Sequence, residues 1–134
     1  MTASKPVHRV LVVSDTRQAY EYIAGLLPPK EFDPISYAST VGEAKRLLLD
    51  ADYDILVINT PLSDEFGVDF ALDASERGSC ILLLCKNDVY EQIAYKVEDS
   101  GVLTLPRPAS RQMLYTALRL LCAVSAKYAK LEMK

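Results

Sequence analysis

Five apolar, β-branched-rich runs alternate along this chain with five amphipathic segments, and that order constrains the fold more than any other feature. The runs fall near residues 8–14, 35–38, 54–59, 79–85 and 102–105. Continuous apolar runs of this length suit strands buried on both faces, so the alternation predicts a parallel sheet covered by helices on each side. Thr40 with Glu43, and Asp88 with Glu91, have capping-box spacing and predict helices over 41–51 and 89–100. Pro28-Pro29, Gly78 and Gly101 supply stops, by denying a helical backbone or by permitting a left-handed one. A chain of 134 residues is one domain's worth.

The apolar stretches are strand-sized and none approaches the eighteen or so residues that a membrane span requires. The opening residues MTASKPVHRV lack the apolar core of a secretory signal, so an intracellular, cytoplasmic protein is expected. Cys80, Cys85 and Cys122 sit in apolar surroundings without metal-ligand spacing, which favours packing over a disulfide or a zinc site. His8, alone at the entry to the first run, is expected to be structural. Charge is uneven: residues 1–106 hold nine basic against seventeen acidic side chains, and from Arg107 onward six basic residues face Glu132 alone. A basic helix face turned to solvent accounts for that tail. The acidic body and the lack of a groove-reading motif argue against direct nucleic-acid binding.

In an open parallel sheet, ligands and chemistry gather beyond the carboxyl ends of the strands. That rule selects Ser14 and Asp15 after the first run, Asn59 and Thr60 after the third, Cys85 and Lys86 after the fourth, and Arg107 after the fifth.

With those residues in place the chain resembles the receiver domain of bacterial response regulators, on VLVVSD (10–15), DILVIN (54–59) with Gly67 eight residues on, ILLLC (81–85) and LPRP (105–108). The resemblance implies a flavodoxin-like, doubly wound five-stranded sheet of order 2-1-3-4-5. It also implies a site in which an acidic pair binds magnesium, an aspartate accepts a phosphoryl group, a Thr or Ser contacts it, and a lysine before proline neutralises it. This chain departs at four of those positions. Ser14 replaces the first acid while Asp15 keeps the second, Asn59 replaces the acceptor, Cys85 the hydroxyl residue and Arg107 the lysine; Thr104 stands where receivers often carry an aromatic residue.

Phosphoryl transfer needs an anionic oxygen nucleophile, which the Asn59 carboxamide is not. Magnesium favours carboxylate oxygen, of which Asp15 alone remains, with Asp64 and Glu65 in the adjoining loop as candidates to reach in. Arg107 is expected to pair with Asp15 and fill the space of the missing metal and phosphate, because guanidinium forks two hydrogen bonds to a carboxylate. The family also suggests a cis Arg107–Pro108 bond.

Leu114, Ala117, Leu121, Val124, Tyr128 and Leu131 form a heptad seam whose first half covers the sheet. A lone exposed helix of the remaining length would be marginal in water, so Leu121, Val124, Tyr128 and Leu131 are expected to pair with a second copy or lead into a coiled coil, with fraying as the alternative. Residues 1–123 would form the receiver-like domain and 124–134 the extension. A degenerate receiver with such a helix is similar to regulators that carry an ANTAR output domain, which bind RNA and prevent transcription termination; those output residues are not in this sequence. The expectation is a pseudo-receiver, a non-enzymatic regulatory and dimerisation module without cofactor or metal, sensing by protein contact or by a ligand other than phosphate. Two alternatives stay open: a phosphorylatable receiver using another carboxylate such as Asp64, and a flavodoxin-like small-molecule binder, though no Gly-rich phosphate loop is present.

Overall fold

The computed structural model describes residues 7–132, with side chains described through Lys127. Its elements run β1 (His8–Val13), α1 (Arg17–Ala24), β2 (Phe32–Ala38), α2 (Val41–Asp50), β3 (Ile55–Asn59), α3 (Val68–Glu76), β4 (Cys80–Lys86), a single 3-10 turn (Asn87–Val89), α4 (Tyr90–Val97), β5 (Leu103–Arg107) and α5 (Arg111–Glu132). The strands are all parallel and lie in the order β2-β1-β3-β4-β5, a flavodoxin-like doubly wound sheet.

Strand alternation sorts the uninterrupted apolar runs into two cores. Leu11, Val13, Leu56, Ile58, Ile81, Leu83 and Cys85 pack with α2, α3 and α4. Val10, Val12, Ile55, Val57, Leu82 and Leu84 pack on the other face with Ile23 of α1 and with Leu114, Ala117, Leu118 and Leu121 of α5.

Both edge strands are longer than the sequence pattern indicates, for one reason. β2 starts at Phe32, opposite His8, and carries Pro34, with the register shifting between His8 and Val10. β5 continues through Pro106 to Arg107. Proline cannot donate to a ladder, so it ends an apolar pattern, but an edge strand has one side where that donor is not needed. His8 lies against the Phe32 ring, 5.9 Å between centroids, in a packing role.

Thr40 caps α2 by accepting from Glu43 N–H at 3.0 Å, although the Glu43 carboxylate reaches back to Ser39 rather than to the cap itself. The second expected capping box does not form. Asn87–Val89 makes a 3-10 turn, and α4 starts at Tyr90 without a side-chain cap and ends at Val97, so the helix is shorter than 89–100. Ser100 closes it, donating its N–H to the Val97 carbonyl at 3.0 Å before Gly101 turns the chain with φ +84°.

In α5, Ser110 accepts from Met113 N–H at 3.1 Å and the helix then runs unbroken to Glu132. Leu121 is only 5% exposed and belongs to the sheet-facing core, so it is not free for a partner as expected. Among the described residues, the large apolar side chains that α5 leaves exposed are Val124, as expected, and with it Met113, Tyr115 and Leu120. The Tyr128 and Leu131 side chains lie outside the described residues. Arg111, Arg119 and Lys127 are exposed, and Arg119 donates to Glu31 at 2.6 Å. Among the described residues no helix is long and apolar enough to cross a membrane.

Candidate functional site at the carboxyl edge of the sheet

Counting in twos along the strands brings Ser14, Asn59, Lys86 and Arg107 to one face at the carboxyl edge, the face covered by α1 and α5. They follow Val12, Val57, Leu84 and Leu105 respectively, all of which pack in that layer. The residues actually joined are Arg107, Asn59 and Ser14. Arg107 Nη1 donates to Asn59 Oδ1, which fixes the orientation of the carboxamide, and Asn59 Nδ2 then donates to Ser14 Oγ over a long 3.4 Å. Ser14 is fully buried; its N–H donates to the Ala38 carbonyl at 3.0 Å and its Oγ also accepts from Thr16 N–H at 3.3 Å.

The expected Arg107–Asp15 pair is therefore replaced by an Arg107–Asn59 pair. Asp15 lies past the end of β1, one residue out of the alternation, and is exposed; among the described residues it forms no ion pair with Arg107. Cys85 is not part of the cluster either. It sits in the opposite core layer, fully buried, with Sγ 3.9 Å from the Leu105 carbonyl. Burial pushes its thiol pKa up, with Arg107 acting in the other direction. Thr60 is fully buried and committed to the neighbouring strand, its hydroxyl donating to the Leu84 carbonyl at 2.8 Å. Thr104, 7% exposed, has a hydroxyl with no hydrogen-bond partner among the described residues. The Arg107–Pro108 bond is cis, as are Asp33–Pro34 and Thr60–Pro61.

The residues present do not fit a magnesium ion. Asp15 is the only carboxylate following β1, position 59 offers a neutral carboxamide, and that carboxamide is already bound to a guanidinium, whose charge repels a dication. Among the described residues no group of three or more His, Cys, Asp or Glu is placed to hold a metal.

Asp64 has a role that sequence reading missed. Its Oδ1 accepts from Val41 N–H and its Oδ2 from Gly42 N–H, each at 3.0 Å, so the β3–α3 loop clips the first turn of α2. The carboxylate thereby satisfies donors that a helix start leaves unpaired, rather than reaching the expected metal position. Only the tertiary fold brings residues 41 and 64 together, and no local signal marks it. These two N–H groups hold the Asp64 pKa below its ordinary 3.8. A depressed folded-state pKa means the clip contributes stability above the unfolded value and loses it as pH falls through the folded value. Asp64→Ala is therefore expected to melt at a lower temperature than the parent at pH 7, with the gap closing as pH drops below about 3.8. Parallel thermal melts over that range check it, and a gap that does not depend on pH would refute the clip.

At the loop's far end Gly67 begins α3 with φ +111°, and a Cβ there would stand 3.3 Å from Thr60 Cγ2 and 3.4 Å from Ile58 Cγ2. A side chain would be both strained and crowded, so the glycine is what lets the loop close over β3.

Comparison of the sequence with protein-family models and with curated proteins finds no match. Comparison of the structure with solved ones finds many. The signal receiver domain of an HD domain-containing protein from Pseudomonas fluorescens Pf-5 superposes with a TM-score of 0.80 at 18% identity, covering 97% of this chain and 96% of that one. A two-component transcriptional regulator AraC from Clostridium phytofermentans gives 0.82 at 13% identity, over 91% and 98%. A member of a family of redox sensors in the streptococci, evolved from two-component response regulators, gives 0.75 at 18% identity, over 94% of this chain and 54% of that one. The chain has the fold of response-regulator receiver domains.

Proposed function

We propose that this chain is a receiver-type regulatory module that takes no phosphoryl group at position 59, is not an enzyme, and signals through contacts made by its last helix. The observation that carries the reading is the Arg107–Asn59–Ser14 chain of hydrogen bonds. It places a cation and two neutral groups where phosphotransfer would need an anionic nucleophile and a metal. The context that fits best is the N-terminal module of an antitermination regulator of the ANTAR kind, with RNA binding belonging to a segment outside this sequence. Residues 1–123 would be the module and 124–134 the start of its extension, and the site of action would be the cytoplasm.

The alternative acceptor, Asp64, is disfavoured because both its carboxylate oxygens are engaged by α2. The streptococcal neighbour belongs to a family of redox sensors, but a redox role for the cysteines of this chain is disfavoured. Burial raises the pKa of Cys80 and Cys85 and takes Cys122 up to about 11, which suppresses the reactive thiolate.

Incubation with acetyl phosphate and magnesium followed by intact-mass measurement is the test. No covalent adduct is expected on the parent chain. A stoichiometric adduct would overturn the reading, and its absence from Asn59→Asp as well would show that the rest of the pocket has lost function too.

Homodimerisation follows from α5 in this reading, through a stripe that keeps Val124 of the heptad pattern but replaces Leu121 with Met113 and Leu120. Leu121 is spent on the sheet, whereas Met113 and Leu120 line an exposed groove with Leu103 and Leu105 of the β5 edge, and Val124, one helical turn beyond Leu120, extends the stripe. The partner is a second copy of this chain, pairing stripe to stripe.

A further inference from the structure

We infer that the carboxyl edge of the sheet binds a small carboxylate anion, held by Arg107 and Lys86. The inference rests on the reading above that position 59 accepts no phosphoryl group, and it assigns the altered site a ligand. A receiver-like pocket with acids at its centre attracts cations, whereas here the sign is reversed. Arg107 spends one donor on a neutral carboxamide, so its charge is not neutralised, and among the described residues it forms no ion pair. Lys86 is its partner in the β4–β5 register and shares its face of the sheet. It is exposed, and it too has no ion pair among the described residues. The acids that follow the same strand ends are Asp15, Asp88 and, further along the β3–α3 loop, Asp64 and Glu65; Asp64 is engaged by α2, and among the described residues none is ion-paired with these cations.

Carboxylate rather than phosphate follows from the donors left over. Guanidinium keeps donors free beyond the one given to Asn59, and its fork matches two carboxylate oxygens in a plane, with the Lys86 ammonium to one side. A tetrahedral phosphate would need further donors, and the hydroxyls nearby are unsuited. Ser14 is fully buried, Thr60 spends its O–H on the Leu84 carbonyl, and Cys85, where a hydroxyl would be, is fully buried in the opposite layer. With Lys86 exposed and Arg107 only half-buried the affinity should be on the order of millimolar and weakened by salt.

The test is a titration of the full chain with sodium acetate, then with sodium phosphate, followed by 1H–15N NMR at constant ionic strength with EDTA present. Saturable shifts are expected at the Asn59 side-chain amide and at the Lys86 and Arg107 backbone amides with acetate. They should weaken at least fivefold in Lys86→Gln, an exposed position whose variant keeps the fold, and disappear in Arg107→Gln. Shifts that do not saturate, or that persist unchanged in Lys86→Gln, overturn the proposal. Tighter binding of phosphate at the same residues overturns the ligand class. The titration involves no covalent transfer, so its failure leaves the absence of phosphorylation untouched, and a phosphoryl adduct on the parent chain would refute the earlier reading by itself.

Discussion

Leu118→Ala is expected to lower the free energy of unfolding by about 2–5 kcal/mol, the range for truncating a fully buried leucine that leaves a cavity. Leu118 is 1% exposed, at the middle of the α5 face that packs with Val10, Val12, Ile55, Val57 and Leu82. The helix also rests on β3 and β4, the central part of the sheet, so its surroundings have little freedom to collapse into the void. Urea denaturation with an unchanged m-value is the measurement. A loss below about 1 kcal/mol would mean that α5 is not seated on the sheet through this residue, and the exposed stripe derived from that seating would fall with it.

The second large effect concerns association. Leu120 is 58% exposed and Val124 41%, and Met113 extends the same stripe toward the start of α5. A helix stripe of this kind gains by pairing with its own copy, because a two-fold contact buries each residue twice. The double substitution Leu120→Glu with Val124→Glu places four carboxylates in a symmetric interface, where desolvation and mutual repulsion oppose contact. Self-association is expected to weaken by about two orders of magnitude, equivalent to roughly 2.7 kcal/mol, with the far-ultraviolet circular dichroism unchanged because neither side chain is in the core. Sedimentation equilibrium decides it. A parent chain that stays monomeric, or a variant that associates as tightly as the parent, would remove dimerisation through α5.

The two kinds of error in reading the sequence have a shared origin. Leu121 and Val124 are successive members of the same heptad seam, yet one is buried at 5% and the other exposed at 41%. Periodicity says which residues share a helix face, but where the sheet beneath that face ends is set by strands far away in the chain. Charge complementarity selects Asp15 as the partner of Arg107, yet Asn59 takes that place in the structure. The strand alternation made that choice, since Ser14 and Asn59 share one face at the strand ends while Asp15 falls one residue out of the alternation. Likewise Asp64 has the chemistry of a helix cap but sits 23 residues from the helix it caps, which puts it beyond any local rule.

What the sequence by itself determined is the architecture and the identity of the groups at the carboxyl edge. Apolar runs of strand length, spaced by amphipathic segments, leave a doubly wound parallel sheet as the arrangement that buries both faces, and the order of the runs carries Ser14, Asn59 and Arg107 to strand ends. What only the tertiary structure decided is pairing: which acid or amide meets Arg107, which carboxylate clips α2, and which side of α5 remains uncovered. Burial is summed over many residues and survives local ambiguity, whereas a hydrogen bond depends on a few tenths of an ångström and on a direction, and those are set only when distant segments have docked.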